Sequence, residues 1–264
     1  MDVMVGAARG AAAGIADAAT RRGGLTWEAK GPADYVSEVD RGAEEGIRER
    51  LLGAFPDSRM LGEEAWAGEV VGDGLWFVVD PLDGTTNFLH GVMEYAVSIA
   101  AVENGVPIAG VVLNAARGEL YTATRGGGAF RDGEQVRVSG ITVPEKALVA
   151  TGFPFKGMEH LDRYAEQFKA VARQTSGIRR AGAAALDLAN VASGRFEAFW
   201  ELRLSPWDIA AGVLLIREAG GVVTNIAGEE AYIRHGSIVA GSPAMHAWLL
   251  ETLHRVDHPG TEAE

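Results

Sequence analysis

The sequence predicts an α+β protein in which a pair of N-terminal helices and an antiparallel sheet precede a region of alternating strands and helices. Residues 3–22 and 37–55 have the apolar spacing of helices. Residues 95–138 form short apolar segments separated by turn signals, which is typical of antiparallel strands. Farther along the chain the two patterns alternate, as in an α/β layer. We therefore expect an N-terminal α+β domain over residues 1–141 and a C-terminal α/β domain over residues 142–257.

Two helices begin the chain. The first is rich in alanine and is expected to end at Gly23-Gly24. Ser37 and Asp40 are spaced as in a capping box and predict the start of the second helix, which Pro56 ends. The helix dipole by itself explains an acidic residue at position 40. The segment between the two helices is expected to be a mobile loop.

Turn and helix signals divide the rest of the chain. Asn-Gly at 104–105 and Asp-Gly at 132–133 predict hairpin turns. The glycine run 126–128 lacks the lysine and hydroxyl residue of a P-loop, so we interpret it as a turn. The tail from His258 is expected to be disordered. C-terminal helices are predicted over residues 159–173, 183–191, 206–218 and 244–256, and strands over residues 148–150, 196–202, 222–223 and 238–240.

Composition and charge exclude several classes of protein. The sequence has no cysteine, which excludes disulfides and thiolate chemistry. No apolar run approaches the roughly 18 residues of a membrane span. The N-terminus also lacks the basic leader of a secretory signal, and together these features predict a cytoplasmic protein. The formal net charge of −12 argues against direct binding to nucleic acid and favours a soluble surface.

The residues from Asp80 to Phe88 are the most informative stretch of the sequence. They follow the apolar run 75–79, which predicts a buried strand, and their proline and glycine, Pro81 and Gly84, predict a tight turn. A turn at the end of a buried strand lets Asp80 and Asp83 converge with the Leu82 carbonyl on one point. Hard oxygen donors of this kind suit Mg²⁺ or Mn²⁺ rather than zinc. The alternative is a polar turn in which both aspartates cap backbone amides.

Two more acidic segments lie far from this stretch along the chain, Gly62-Glu63-Glu64 before it and Trp207-Asp208-Ile209-Ala210-Ala211-Gly212 after it. The three segments together resemble the inositol monophosphatase family of metal-dependent, lithium-sensitive phosphatases. The resemblance extends from Lys30 to about Gly241 and is strongest to the bacterial inositol-1-monophosphatase, or SuhB-like, branch. The closer match is carried by residues 150–156 and 183–189. The resemblance implies a layered α-β-α-β-α sandwich with the site between its two halves.

The resemblance also implies a set of site residues. Glu63, Asp80 and the Leu82 carbonyl are the implied ligands of a first Mg²⁺, and Asp80, Asp83 and Asp208 those of a second. Glu63 is further implied to help hold a weaker third ion through water, and Mn²⁺ is an alternative ion. The implied catalytic residues are Thr85, which hydrogen-bonds the attacking water, together with Glu63 and Asp40. The implied substrate-binding residues are Asp83, Gly84, Thr85, Gly182, Ala184, Glu201 and Asp208.

Several of these positions also have plain structural interpretations. From the sequence alone Thr85 is a turn residue, and Glu201 is a surface glutamate at the end of a strand. Gly182 and Ala184 are small residues of the kind that favours close helix packing. Asp40 has two roles open to it, at the start of a helix and in the outer shell of the metal site. No His-Glu-x-x-His or Gly-x-Ser-x-Gly motif is present, so neither a zinc peptidase nor a serine hydrolase is predicted.

The implied activity is hydrolysis of myo-inositol monophosphates to inositol and phosphate by in-line attack of a metal-activated water. The expected substrate is a small phosphorylated polyol, and the expected assembly is a homodimer. Two rivals use the same chemistry, on fructose 1,6-bisphosphate or on histidinol phosphate. A rival of a different class is a regulatory partner of the transcription machinery. The complete acidic set favours an enzyme, because a purely regulatory protein has no need of these aligned oxygen donors.

Overall fold

Two sheets with two helices between them form the centre of the structure. The computed structural model describes residues 1–31, 34–154, 158–230 and 236–258. Within these residues seven helices, a seven-stranded sheet, a five-stranded sheet and a two-stranded sheet are formed.

The N-terminal helices have the predicted places. Helix α1 spans Asp2–Thr20 and helix α2 spans Glu38–Ala54. The capping box at the start of α2 is confirmed, because the Ser37 hydroxyl accepts from Val39 N–H while Asp40 accepts from the Ser37 backbone. Both helices pack on the same face of the seven-stranded sheet.

The loop predicted between these helices is wrong in part. Strands β1 (Trp27–Gly31) and β2 (Asp34–Ser37) form an antiparallel pair in which Trp27 lies opposite Ser37. The rings of Trp27 and Tyr35 meet edge to face with centroids 5.0 Å apart, a cross-strand contact that fixes the register. Residues 32–33, where the proline signal lies, are outside the described residues.

The larger sheet has the strand order β3-β4-β5-β6-β7-β8-β9, with β3 parallel to β4 and every other pair antiparallel. The predicted hairpin turns are confirmed, since Asn104 and Asp132 have positive φ angles of 50° and 52°. The strands are β3 (Arg59–Gly62), β4 (Leu75–Asp83), β5 (Ala96–Glu103), β6 (Val106–Asn114), β7 (Leu120–Thr124), β8 (Gly128–Arg131) and β9 (Glu134–Val136).

Strand β4 differs from its predicted form. We expected the strand to end on Asp80, but it continues to Asp83 with a shift of register against β5 between these two residues. Gly84 then adopts a left-handed conformation with φ 87°, and the short helix α3 (Thr85–His90) begins directly after it. Asp80 still pairs with Ser98 in the regular register, so the irregularity lies after it and alters the alternation only between Asp80 and Asp83.

The C-terminal region forms the five-stranded sheet and four helices. The strand order is β11-β10-β12-β14-β13, with parallel pairing around β10 and antiparallel pairing around β14. The strands are β10 (Leu148–Thr151), β11 (Gly177–Arg179), β12 (Ala198–Leu204), β13 (Val222–Thr224) and β14 (Gly236–Gly241). The helices are α4 (Leu161–Ala172), α5 (Ala184–Ala192), α6 (Pro206–Glu218) and α7 (Pro243–Asp257).

The elements stack in the five layers that were predicted. Helices α1 and α2 cover one face of the larger sheet, α5 and α6 lie between the two sheets, and α4 and α7 cover the outer face of the smaller one. Side chains alternate accordingly. On β4, Phe77 and Val79 pack toward α1 and α2, whereas Trp76 and Val78 pack toward α5 and α6.

The middle layer joins both halves of the chain in one apolar core. Val112 and Tyr121 of the larger sheet share a buried cluster with Leu188 of α5, Leu215 of α6 and Ile238 of the smaller sheet. The division at residue 141 therefore stays a prediction.

None of the helices in the described part of the chain is long and apolar enough to cross a membrane. Residues 259–264, on which the predicted disordered tail falls, are outside the described residues.

Candidate metal-dependent active site

A cleft of about 660 Å³ opens where β4, α3, α5, β12 and α6 meet. All but one of the predicted site residues line it. Asp40 does not line the cleft and reaches it through a hydrogen bond to Thr85. The lining residues that were predicted are Glu63, Asp80, Leu82, Asp83, Gly84, Thr85, Gly182, Ala184, Glu201 and Asp208.

The end of β4 places two buried aspartates at the floor of the cleft. Asp80 Oδ1 accepts the Leu82 N–H at 3.0 Å. Asp83 Oδ2 accepts the Ala185 N–H at 2.8 Å, and this amide belongs to the first turn of α5, where the helix dipole favours a negative charge. Each carboxylate is thus held on a stiff frame through one of its oxygens. The predicted convergence depends on these anchors rather than on a simple turn.

Gly84 is required by the path of the chain after Asp83. Its φ of 87° is unfavourable for residues with a side chain. A Cβ there would lie 2.8 Å from the Glu94 carbonyl oxygen and 3.3 Å from that of Gly182. The backbone of the cleft floor therefore touches the opposite wall at this point.

Burial and neighbouring charges both raise the pKa values of the two buried aspartates. Burial raises the pKa of Asp80 well above its ordinary value, and the charges of Glu63, Asp83 and Asp208 raise it further. Burial likewise raises the pKa of Asp83, with Asp208 as the largest charged contribution. Asp208 therefore lies close enough to act electrostatically on both aspartates, although it is more than a hundred residues away along the chain.

The donor set fits a hard divalent cation. Carboxylate and carbonyl oxygens are the ligands that Mg²⁺ and Mn²⁺ prefer, and a cation would relieve the repulsion that raises the pKa values of Asp80 and Asp83. Across residues 1–31, 34–154, 158–230 and 236–258, no three acidic or imidazole side chains form a ready-made metal cage. The fit consequently rests on the chemistry and burial of the donors.

Asp208 enters the cleft from the first turn of α6. It is the third residue of that helix, behind Pro206, and its Oδ2 accepts the backbone N–H of Ser205 at 2.6 Å. This is the capping geometry of a Ser-x-x-Asp sequence. The side chain is half-buried and faces the cleft.

A chain of hydrogen bonds runs from the cleft to the start of α2. The Thr85 hydroxyl lies 2.8 Å from Asp40 Oδ1 and 3.0 Å from the Leu82 carbonyl oxygen. Asp40 Oδ2 accepts the Ser37 N–H at 2.9 Å and the Ser37 hydroxyl at 2.5 Å. One oxygen of Asp40 therefore caps the start of α2 and the other accepts from Thr85, while its place in the outer shell of a metal site stays a prediction.

The opposite wall of the cleft is built from small residues and Glu201. Gly182 has φ 90°, and a Cβ there would lie 2.6 Å from an Arg180 nitrogen. Glu201 lies two residues after Phe199 on β12, so both face the middle layer. A Cβ at Gly152 would lie 2.0 Å from Glu201 Oε2, so this carboxylate rests directly on the backbone of the wall.

Sequence reasoning missed Asp187. It lies on α5, lines the cleft, is 2% exposed, and its Oδ1 has no hydrogen-bond partner among the described residues. Burial raises its pKa well above the ordinary value, and the charge of Glu201 raises it further. The signal that could have found it is a single acid in the otherwise apolar turn Ala-Ala-Leu-Asp-Leu-Ala.

Comparison with known proteins places the chain in a family. The family model described as the inositol monophosphatase family matches residues 1–258. The chain is 46% identical over 258 residues to a Nus factor SuhB of Pseudomonas aeruginosa, covering 96% of this chain and 95% of that protein. It is 48% identical over 228 residues to an inositol-1-monophosphatase of Rhizobium meliloti, covering 86% and 85% of the two chains.

A solved structure has the same fold. The crystal structure of the extragenic suppressor protein suhB from Bartonella henselae superimposes with a TM-score of 0.91 at 44% identity. The match covers 96% of this chain and 97% of that one.

Proposed function

The chain belongs to the inositol monophosphatase family and is a phosphatase, and from this premise we propose that it hydrolyses myo-inositol monophosphates with Mg²⁺ as its cofactor and is inhibited by lithium. The observation that carries the proposal is the convergence of four acids from distant segments on one cleft. These are Glu63, Asp80, Asp83 and Asp208.

The four acids and the Leu82 carbonyl are the residues that would hold two or three Mg²⁺ ions. When bound, divalent cations shield the charge of the phosphate, lower the pKa of a bound water and stabilise the leaving oxygen. The buried positions of Asp80 and Asp83 suit this task because a low-dielectric site strengthens every charge interaction within it. A protein with a net charge of −12 also needs local positive charge to attract a phosphate ester.

Thr85 is proposed to orient the attacking water. Its hydroxyl hydrogen is directed to Asp40 Oδ1 or to the Leu82 carbonyl, so its oxygen lone pairs are left to accept a hydrogen bond from water. Asp40 is itself held by two donors of Ser37, which keeps this arrangement rigid. Glu63 is proposed to assist as an acceptor at the same side of the cleft. The backbone amides of Gly84 and Thr85 are proposed to donate to phosphate oxygens.

The far wall is proposed to bind the polyol. Glu201 can accept hydrogen bonds from neighbouring hydroxyls, and Gly182 and Ala184 leave room for a ring to approach the backbone. Asp83 and Asp208 are proposed to contact hydroxyls as well as metal.

A panel of phosphate esters tests the assignment. With Mg²⁺, the purified protein is expected to release phosphate from inositol 1-phosphate and to lose this activity in millimolar lithium. Asp83→Asn, which keeps the shape of the side chain, is expected to abolish turnover with the melting temperature retained. Activity that survives in Asp83→Asn, or that needs no divalent cation, would contradict the proposed metal site.

A second candidate substrate is a bisphosphorylated sugar such as fructose 1,6-bisphosphate. It is favoured by Arg180 and Arg203, two exposed guanidinium groups that line the cleft beside Glu201 and offer charge to a second phosphate. Faster turnover of the bisphosphate than of inositol 1-phosphate under equal conditions would transfer the assignment to this candidate. Histidinol phosphate belongs in the same panel as a cationic substrate.

A second candidate function is a binding role in transcription, because a relative of 46% identity is named a Nus factor. The variant Asp83→Asn distinguishes a catalytic role from a partner-binding role. If Asp83→Asn loses phosphatase activity but complements a strain that lacks this gene, a non-catalytic role is supported. Failure of the variant together with loss of activity assigns the cellular role to the enzyme.

Assembly and location stay predictions of the family resemblance. We propose a homodimer in the cytoplasm. Multi-angle light scattering of the purified chain at several concentrations is expected to give twice the monomer mass of 27.9 kDa. A concentration-independent monomer would contradict this.

A further inference from the structure

Glu44 is a buried charged residue that lies outside the cleft. It belongs to the face of α2 that packs inward, and it is 3% exposed. A buried carboxylate is costly unless it is well paired. The groups that pair with Glu44 therefore indicate its role.

The Glu44 carboxylate is bonded to the segment that carries Glu63. Its Oε2 accepts the Glu64 N–H at 2.8 Å, and its Oε1 accepts the Ala65 N–H at 3.1 Å. These are the two amides that directly follow Glu63 in the chain. Arg48, one turn further along α2, donates to Oε1 at 3.3 Å and balances the charge.

The chain also makes room for this carboxylate on the other side of Glu63. A Cβ at Gly62 would lie 2.5 Å from both the Cδ and the Oε2 of Glu44. No side chain larger than hydrogen fits there without displacing the carboxylate. The backbone of residues 62–65 thus wraps around the Glu44 side chain, and the Glu63 N–H is held in addition by the Val79 carbonyl at 3.2 Å.

We propose that Glu44 is a positioning residue that fixes the backbone of Glu63 so that the Glu63 carboxylate faces the cation site of the cleft. This role rests on the proposed function of Glu63 as a metal ligand. Residues that orient a ligand from behind act on metal affinity more than on the chemistry, because they determine how much order the site must gain when the ion binds.

Glu44→Gln breaks this arrangement with little change of shape. The amide carbonyl can accept one of the two N–H groups, but its NH₂ group then faces the other donor. Gly62→Ala displaces the same carboxylate from the opposite side. Glu45→Gln is the matched control, because Glu45 is the next residue of α2, is exposed, and approaches the same Arg48 at 4.0 Å.

Isothermal titration of Mg²⁺ into the full-length variants measures the effect directly, and Mn²⁺ serves as a second probe. Glu44→Gln and Gly62→Ala are expected to weaken binding by about tenfold to 100-fold, with the control unchanged. The Mg²⁺ concentration for half-maximal phosphatase activity is expected to rise by the same factor. Turnover at saturating Mg²⁺ is expected to return close to that of the unaltered protein.

The two variants are also expected to be non-additive. Because both displace one carboxylate, the double variant should lose no more affinity than the weaker-binding single variant. Additive losses would show that the two residues act separately, and would overturn the proposed role.

A purely structural role for Glu44 gives a different result. In that case Glu44→Gln lowers the melting temperature but leaves the Mg²⁺ affinity within twofold of the unaltered value, which would overturn the proposed role.

Glu63→Gln separates this failure from failure of the proposed function. If Glu63→Gln weakens Mg²⁺ binding and the Glu44 and Gly62 variants do not, only the positioning role fails. If Glu63→Gln binds Mg²⁺ normally, the ligand assignment fails and the role of Glu44 falls with it.

Discussion

Helices α2 and α6 begin with the same local motif and use it differently. Each starts at a serine with an aspartate three residues on, Ser37 with Asp40 and Ser205 with Asp208. In both, the serine backbone N–H donates to the aspartate Oδ2, at 2.9 Å and 2.6 Å. The motif has the same local effect at both sites, because it fixes an acid in the first turn of a helix.

The surroundings of the two aspartates differ. Asp40 is 1% exposed, and its Oδ1 receives the Thr85 hydroxyl, so it acts on the cleft through another residue. Asp208 is half-buried in the cleft itself, and its charge raises the pKa of Asp80 and Asp83. The comparison teaches that the capping motif supplies the orientation of an acid, whereas packing decides whether that acid lines the cleft or meets a neighbouring hydroxyl.

Of the substitutions in these two helix starts, Asp208→Asn is expected to have the largest effect on catalysis. The amide oxygen can still accept the Ser205 N–H, so the helix start is kept while one charge of the cleft is lost. We expect kcat/KM to fall by about 1000-fold or more, equivalent to about 4 kcal/mol of transition-state stabilisation. Steady-state kinetics with Mg²⁺ checks the fall, and an unchanged melting temperature excludes misfolding. A loss below tenfold would remove Asp208 from the proposed ligand set.

Asp40→Asn is expected to cost less, because Asp40 acts only through Thr85. A loss of about 100-fold in kcat is expected, at the lower end of the range for positioned proton acceptors. Thr85→Val should show a similar loss, and the double variant should be no slower than the slower single variant. Independent, multiplying losses would show that the two residues do not act as a unit.

The pH dependence of stability tests the buried acids of the cleft without any assay of activity. Because the pKa values of Asp80 and Asp83 are raised in the folded state, the folded metal-free protein binds more protons than the unfolded chain above about pH 4. Stability is therefore fully present below the unfolded pKa and is lost as the pH rises. The melting temperature in EDTA should fall by several degrees between pH 5 and pH 8.

Two further measurements test whether the buried acids cause this pH dependence. Mg²⁺ favours the charged carboxylates, so it should raise the melting temperature more at pH 8 than at pH 5. Asp208→Asn removes a charge that contributes to both raised pKa values and should flatten the decline in EDTA. A melting temperature that rises with pH in EDTA would contradict the buried acidic cluster.

The smallest effects are expected when the serines that cap α2 and α6 are replaced, and these effects are on stability. Ser205→Ala should lower the free energy of unfolding by about 1 kcal/mol, the usual value of an N-cap serine. This corresponds to about 2–4 °C in melting temperature for a chain of this size. Ser37→Ala should cost more, since the Ser37 hydroxyl also donates to Asp40 at 2.5 Å. Thermal denaturation of both variants checks the order, and equal losses would show that the additional hydrogen bond contributes nothing.

Much of the fold follows from local patterns. The start of α2 at Ser37 and of α6 at Pro206 were predicted from capping and proline signals. The hairpin turns at Asn104 and Asp132 were predicted from dipeptides that tolerate positive φ. These interactions join residues a few positions apart, so the sequence contains all that is needed to recognise them. The β1–β2 hairpin was missed because a lysine, glycine and proline within it are typical of a loop.

The four acids that line the cleft were named from the sequence, whereas two buried acids near them, Asp187 and Glu44, were not. The four cleft acids stand in segments that resemble a known family, and the cleft gathers them. Asp187 lies within the matching segment 183–189 but is a single acid on a helix, as is Glu44, and such an acid is most often solvated. Their burial depends on neighbours that are distant in sequence, such as Asp83 near Asp187 and the residue-62–65 segment around Glu44.

The sequence by itself determined most of the order of helices and strands and the helix caps, because these depend on short-range geometry, and its resemblance to a known family indicated which acids were candidates. Only the tertiary structure decided that Asp40 holds Thr85, that Asp208 reaches Asp83, and that one carboxylate of α2 supports the segment of Glu63. The physical reason is that these contacts join segments brought together by burial of the two apolar faces of one sheet, and no local pattern specifies which residues then meet.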